Sequence, residues 1–139
     1  MIQSQQDKTG AQPGRDWMLV VDDDEPFLEL IVSAMTDDAL EVVTATSAPA
    51  AFQTLDQRAV APLLVLTDVL MPGMDGLTLA RKLSARLTRS KIAVMSGNLS
   101  DVSWWPADLR DLVFLAKPFR LTELTAVVDA ARAEFKTKL

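Results

Sequence analysis

Five short apolar runs rich in β-branched residues punctuate the chain: WMLVVD at 17–22, EVVTA at 41–45, PLLVLTD at 62–68, KIAVMS at 91–96 and LVFLAK at 112–117. Runs of this length and composition suit buried strands. Between them stand stretches whose apolar residues recur at helical spacing, namely PFLELIVSAM, AAFQTL, GLTLARKLSARL and LTELTAVVDAARAEF. Regular alternation of strand and helix dictates an α/β fold, a doubly wound five-stranded parallel sheet with helices on both faces, because parallel neighbours need right-handed crossovers. In such open sheets ligands bind beyond the carboxyl ends of the strands, where strand order reverses.

With 139 residues and 49% hydrophobic content the chain suits one domain with its own core. Residues 1–16 are polar and aperiodic and read as a flexible lead-in; 17–139 form the domain. The segment LSDVSWWPADLRDL breaks the pattern, since Pro106 cannot sit inside a helix without disrupting it. A helix there should be short or late, starting near Pro106.

Charge and residue inventory remove whole classes of function. A net charge of −5 and no cluster of basic residues argue against nucleic-acid binding by the chain itself, which would need Lys and Arg against phosphates. No apolar run reaches membrane-spanning length and the polar start lacks a signal-peptide core, so the expectation is a cytoplasmic protein without a membrane partner. Zero Cys and zero His remove thiol nucleophiles, imidazole bases and an autophosphorylating His. Chemistry is left to carboxylates, Lys, hydroxyls and backbone.

Those groups stand where the topology puts a site. The first strand ends in DDDE at 22–25, the third in Asp68, the fourth in Ser96 and the last in Lys117. Two carboxylates about 4 Å apart repel by about 4 kcal/mol at an effective dielectric near 20, so such a crevice calls for a cation. Hard oxygen ligands with open positions suit Mg²⁺ better than a fully caged Ca²⁺. Lys117 and the Ser96 hydroxyl add a fixed positive charge and a donor, which together describe a place for a phosphoryl group. Asp68 would be the nucleophile, with Mg²⁺ neutralising the incoming oxygens.

In VVDD, TDVLMPGMDG, MSG and AKPF, in that order, the chain from Trp17 onward resembles the receiver domains of two-component response regulators, of the single-domain kind seen in chemotaxis. The resemblance implies a flavodoxin-like strand order 2-1-3-4-5 and a domain that is no enzyme, accepting phosphate on itself with weak autodephosphorylation at most. It makes Asp68 the phosphoacceptor, Asp23 a direct Mg²⁺ ligand, Asp22 an acid orienting the ion through water, and the Leu70 backbone carbonyl the third protein ligand. Ser96 and Phe114 become switch residues, and the Lys117–Pro118 bond is expected to be cis. Its implied partners are a histidine kinase or histidine phosphotransfer protein and a downstream protein bound through the face of the fourth helix, last strand and last helix. Trp104 and Trp105 would belong to that face, since exposed Trp favours interfaces. As the chain ends at the last helix, output by partner binding is expected.

Two rival readings follow from the same residues. Asp22 and Asp24 form an Asp-x-Asp resembling haloacid-dehalogenase-type phosphatases, but no later acidic pair serves that metal site and Asp68 is unexplained. A flavin-nucleotide module shares the topology, but acids after the first strand would repel the flavin phosphate. Asp24 and Glu25 also suit a helix N-terminus and need no further role.

Overall fold

The computed structural model describes residues 15–69, 76–97, 107–109 and 112–137. Five strands, β1 (Asp16–Val21), β2 (Leu40–Ala45), β3 (Leu64–Asp68), β4 (Lys91–Ser96) and β5 (Val113–Ala116), alternate with helices α1 (Glu25–Met35), α2 (Ala48–Asp56), α3 (Gly76–Arg86) and α4 (Leu121–Thr137). The sheet order is β2-β1-β3-β4-β5, with every neighbouring pair parallel. This is the expected doubly wound fold, and its order reverses between β1 and β3.

Alternation along the strands divides the core in two. Met18, Val20, Leu64, Leu66, Ala93 and Met95 face one side, where they meet Leu28 and Ile31 of α1 and Leu124, Val128 and Phe135 of α4. Trp17, Leu19, Val21, Val65, Ile92 and Val94 face the other, packing on Ala51 and Leu55 of α2 and Leu79 and Leu83 of α3. The central strands are buried on both faces, which is why they read as continuous apolar runs rather than alternating ones. Each fully buried Leu or Val contributes about 1.5–3 kcal/mol relative to exposure.

Helix starts follow from local chemistry. Asp24 caps α1 by accepting the Phe27 N–H at 3.2 Å, and Ser47 caps α2 by accepting the Ala50 N–H at 3.2 Å. At α4, Glu123 reaches back to accept the Arg120 N–H at 2.9 Å, half of a capping box.

β1 opens at Asp16, one residue before the expected Trp17, and Arg15 already donates to the carbonyl of Asp37 at 3.0 Å. In the region expected to hold a short or late helix, residues Ala107–Leu109 form a single 3-10 turn. Arg81 of α3 holds that turn through Asp108 at 2.8 Å, and its guanidinium draws the Asp108 carboxyl below its ordinary pKa. Among the described residues no helix is long and apolar enough to cross a membrane.

Candidate functional site

β1 delivers Asp22 to the point of strand-order reversal and seals it there. Its backbone N–H bonds the Ala45 carbonyl at 3.1 Å and its side chain is wholly buried. One carboxylate oxygen accepts the Asp24 N–H at 3.0 Å, and the other accepts Lys117 Nζ at 2.7 Å. A buried carboxylate without such partners would be strongly disfavoured, so the ion pair explains how this acid survives inside. Asp23, next in sequence, sits at a bend in the backbone just past β1 and is exposed.

β3 ends on Asp68, whose half-buried side chain lies across the reversal from β1. Asp22, Asp23 and Asp68 each offer a carboxylate oxygen, and these atoms lie within 4.8 Å of one another. Three hard anionic oxygens at this separation, with Asp23 open to water, fit the partial ligand set of a Mg²⁺ ion. Both Asp22 oxygens already carry hydrogen bonds, which suits an acid that orients metal-bound water rather than one that coordinates directly.

β4 and β5 complete the pocket. Ser96 ends β4 and is buried, and its carbonyl accepts the Lys117 N–H at 2.8 Å, so the residues that end these strands are tied by backbone. From there the Lys117 side chain reaches inward, with Nζ 4.0 Å from Asp68 Oδ2. The Lys117–Pro118 peptide bond is cis. Phe114 pairs with Val94, two residues before the Ser96–Ala116 pair, so Phe114 and Ser96 project from one face of the sheet. The Leu70 carbonyl, Trp104 and Trp105 lie outside the described residues.

Three contributors went unread in the sequence. Gly76 opens α3 directly against the end of β3: its N–H bonds the Val69 carbonyl at 2.8 Å, and a Cβ there would lie 2.0 Å from the Asp68 carbonyl oxygen. A Gly at a helix start following a strand-end acid was the available signal. Thr67 is fully buried and its hydroxyl donates to the Asp68 carbonyl at 3.1 Å. Phe27 places its ring centroid 4.3 Å from Lys117 Nζ, a contact for which sequence spacing offers no signal. Asp24, the second acid of the phosphatase reading, spends its carboxylate on capping α1.

Comparison with known proteins agrees with this geometry. Residues 18–129 match the model of the response regulator receiver domain family. The response regulator PleD of Caulobacter vibrioides is 32% identical over 130 residues, covering 83% of this chain and 28% of PleD, so the chain spans little more than a quarter of that relative. The receiver protein CpdR of Brucella abortus is 28% identical over 113 residues, covering 81% of this chain and 92% of CpdR. Among solved structures, the response regulator TrrA from Thermotoga maritima in complex with Mg²⁺-BeF superposes with a TM-score of 0.71 at 24% identity, covering 84% of this chain and 98% of that one. The chain therefore belongs to the response regulator receiver domain family, a regulatory rather than catalytic class.

Proposed function

We propose that this domain accepts a phosphoryl group on Asp68 in a Mg²⁺-dependent way and thereby changes a partner-binding face. The observation that carries the reading is the convergence of three carboxylates and Lys117 at the carboxyl ends of β1, β3 and β5. Of the three acids, Asp68 combines partial burial with access, whereas Asp22 is sealed by Lys117 and the Asp24 N–H. An Asp68 oxygen attacks phosphorus, the O–P bond forms as the donor's N–P bond breaks, and the departing imidazole keeps the electron pair and takes a proton. Asp22, Asp23 and Asp68 would hold Mg²⁺, which when bound would supply charge neutralisation for an anion approaching an anion. Lys117 and Ser96 neutralise and hydrogen-bond the transferred oxygens.

Because the sequence contains no His, the phosphohistidine lies outside it, on a histidine kinase or phosphotransfer domain. A groove of about 530 Å³ beside Lys117, between α1 and the segment after β5, offers that donor an apolar seat. Leu30 and Leu121 on its rim are 60% and 45% exposed. Downstream, a target would read the face of β5 and α4.

The test is incubation with acetyl phosphate and Mg²⁺ followed by mass-spectrometric mapping of a hydroxylamine-sensitive phosphoryl label. Label on Asp68, lost in Asp68→Asn and lost when EDTA chelates the metal, is expected. Wild-type labelling in Asp68→Asn would overturn the assignment.

A further inference from the structure

The ammonium of Lys117 lies among two carboxylates and an aromatic ring. Asp22 Oδ2 lies at 2.7 Å, Asp68 Oδ2 at 4.0 Å, and the face of Phe27 at 4.3 Å from the ring centroid. The ring is fixed from both ends. Its backbone N–H is held by the Asp24 cap, and its ring makes a T-shaped contact with that of Phe119, centroids 6.1 Å apart. Phe27 therefore joins the segment that carries the acids to the segment that carries Lys117.

We propose that Phe27 is a positioning residue for Lys117, its ring face holding the ammonium inside the pocket as it passes from Asp22 toward phosphoryl oxygens. The inference rests on the phosphoacceptor reading above. A lysine is a compact charge on a flexible stem, and nothing in the stem keeps it from swinging to water. A hydrogen-bond acceptor in place of Phe27 would fix one position of Nζ. The negative face of a phenyl ring instead attracts a cation broadly across its surface and demands no single donor direction. In the free protein Asp22 at 2.7 Å already fixes the ammonium; once it leaves Asp22 for an oxygen on Asp68, the ring becomes the contact that keeps it in the pocket. An aliphatic side chain of similar bulk would exclude water equally and attract nothing.

That distinction sets the experiment. Phe27 is replaced by 4-fluoro-, 3,5-difluoro- and 3,4,5-trifluorophenylalanine, which drain the ring face of negative charge while keeping its shape, and by Leu as an aliphatic comparison. Affinity for beryllofluoride with Mg²⁺, a small probe that needs no docked protein, is expected to fall stepwise along the series, by about tenfold at the trifluoro member. In the metal-free protein, ring current should shift the Lys117 ε-methylene protons upfield, and the shift should vanish in Phe27→Leu. Melting temperatures across the fluorinated series should stay level, since packing is retained. A flat affinity series, or unshifted Lys117 protons in wild type, overturns the role of Phe27. Failure of wild type itself to bind beryllofluoride at Asp68 instead overturns the phosphoacceptor reading, so the two failures are told apart.

Discussion

Lys117 Nζ lies 2.7 Å from Asp22 Oδ2 and 4.0 Å from Asp68 Oδ2, so in this state the lysine answers the buried acid first. The Asp22 side chain is 1% exposed, which makes its charge dependent on that ammonium. Lys117→Met leaves a buried carboxylate without its counter-ion and should cost about 3 kcal/mol in urea unfolding. Adding Asp22→Asn to the same chain removes the orphaned charge and should recover most of the loss. If the double variant is as unstable as the single one, the loss comes from packing and not from an uncompensated charge.

Metal and stability should be linked through the same acids. Their mutual repulsion is relieved by a bound cation, so added Mg²⁺ should raise the melting temperature, by a mass-action stabilisation of about 2.7 kcal/mol at roughly a hundredfold excess over Kd. Asp23→Ala should blunt that response. Because the substitution also removes one repelling charge, the metal-free variant should melt above metal-free wild type. A lower melting temperature for it would show that the acids are not in conflict.

Gly76 is a steric requirement rather than a flexible joint. A Cβ at this position would lie 2.4 Å from the Val69 Cα as well as 2.0 Å from the Asp68 carbonyl oxygen, and neither backbone atom can give way without moving Asp68. Gly76→Ala should destabilise the fold by about 3 kcal/mol. Asp68 labelling by acetyl phosphate should fall with it. Full stability in the Ala variant would mean that α3 shifts freely against β3.

How far the sequence disclosed this molecule depends on the kind of interaction. Strands were legible because β1, β3 and β4 are buried on both faces, so their apolar runs are uninterrupted, and α4 because Leu124, Val128, Ala131 and Phe135 keep helical spacing. The acids and Lys117 were legible because the fold class places every strand's carboxyl end at one edge, so that being last in a strand predicts proximity. Phe27 was not, since it lies far from Lys117 in sequence and their contact depends on how α1 tilts against the segment after β5. Gly76 was hidden for a related reason: a composition reading treats Gly near a Pro as turn chemistry, whereas here the constraint is another strand's backbone. The Asp22–Lys117 pair fell between these cases, both members being expected in the pocket while their direct bond was not.

The position of Trp17 yields a control for any conformational change that follows phosphorylation. It sits near the start of β1, five residues before Asp22, roughly 17 Å away at the rise of an extended strand. Its indole is 2% exposed, its N–H donates to the Val60 carbonyl at 2.9 Å, and the Arg58 guanidinium lies 4.5 Å from the ring centroid. Arg58 is in turn held by a two-bond pair with Glu41 of β2. Both of these polar partners lie at the amino-terminal side of the sheet, away from the pocket. With only three Trp in the chain, Trp104→Phe combined with Trp105→Phe leaves Trp17 as sole reporter. Beryllofluoride with Mg²⁺ should alter the emission of wild type and of Trp17→Phe alike and leave the double variant nearly unchanged. A response of wild-type size in the double variant would place the moving element at the far end of β1, and would remove Trp104 and Trp105 as the reporters of the phosphorylated state.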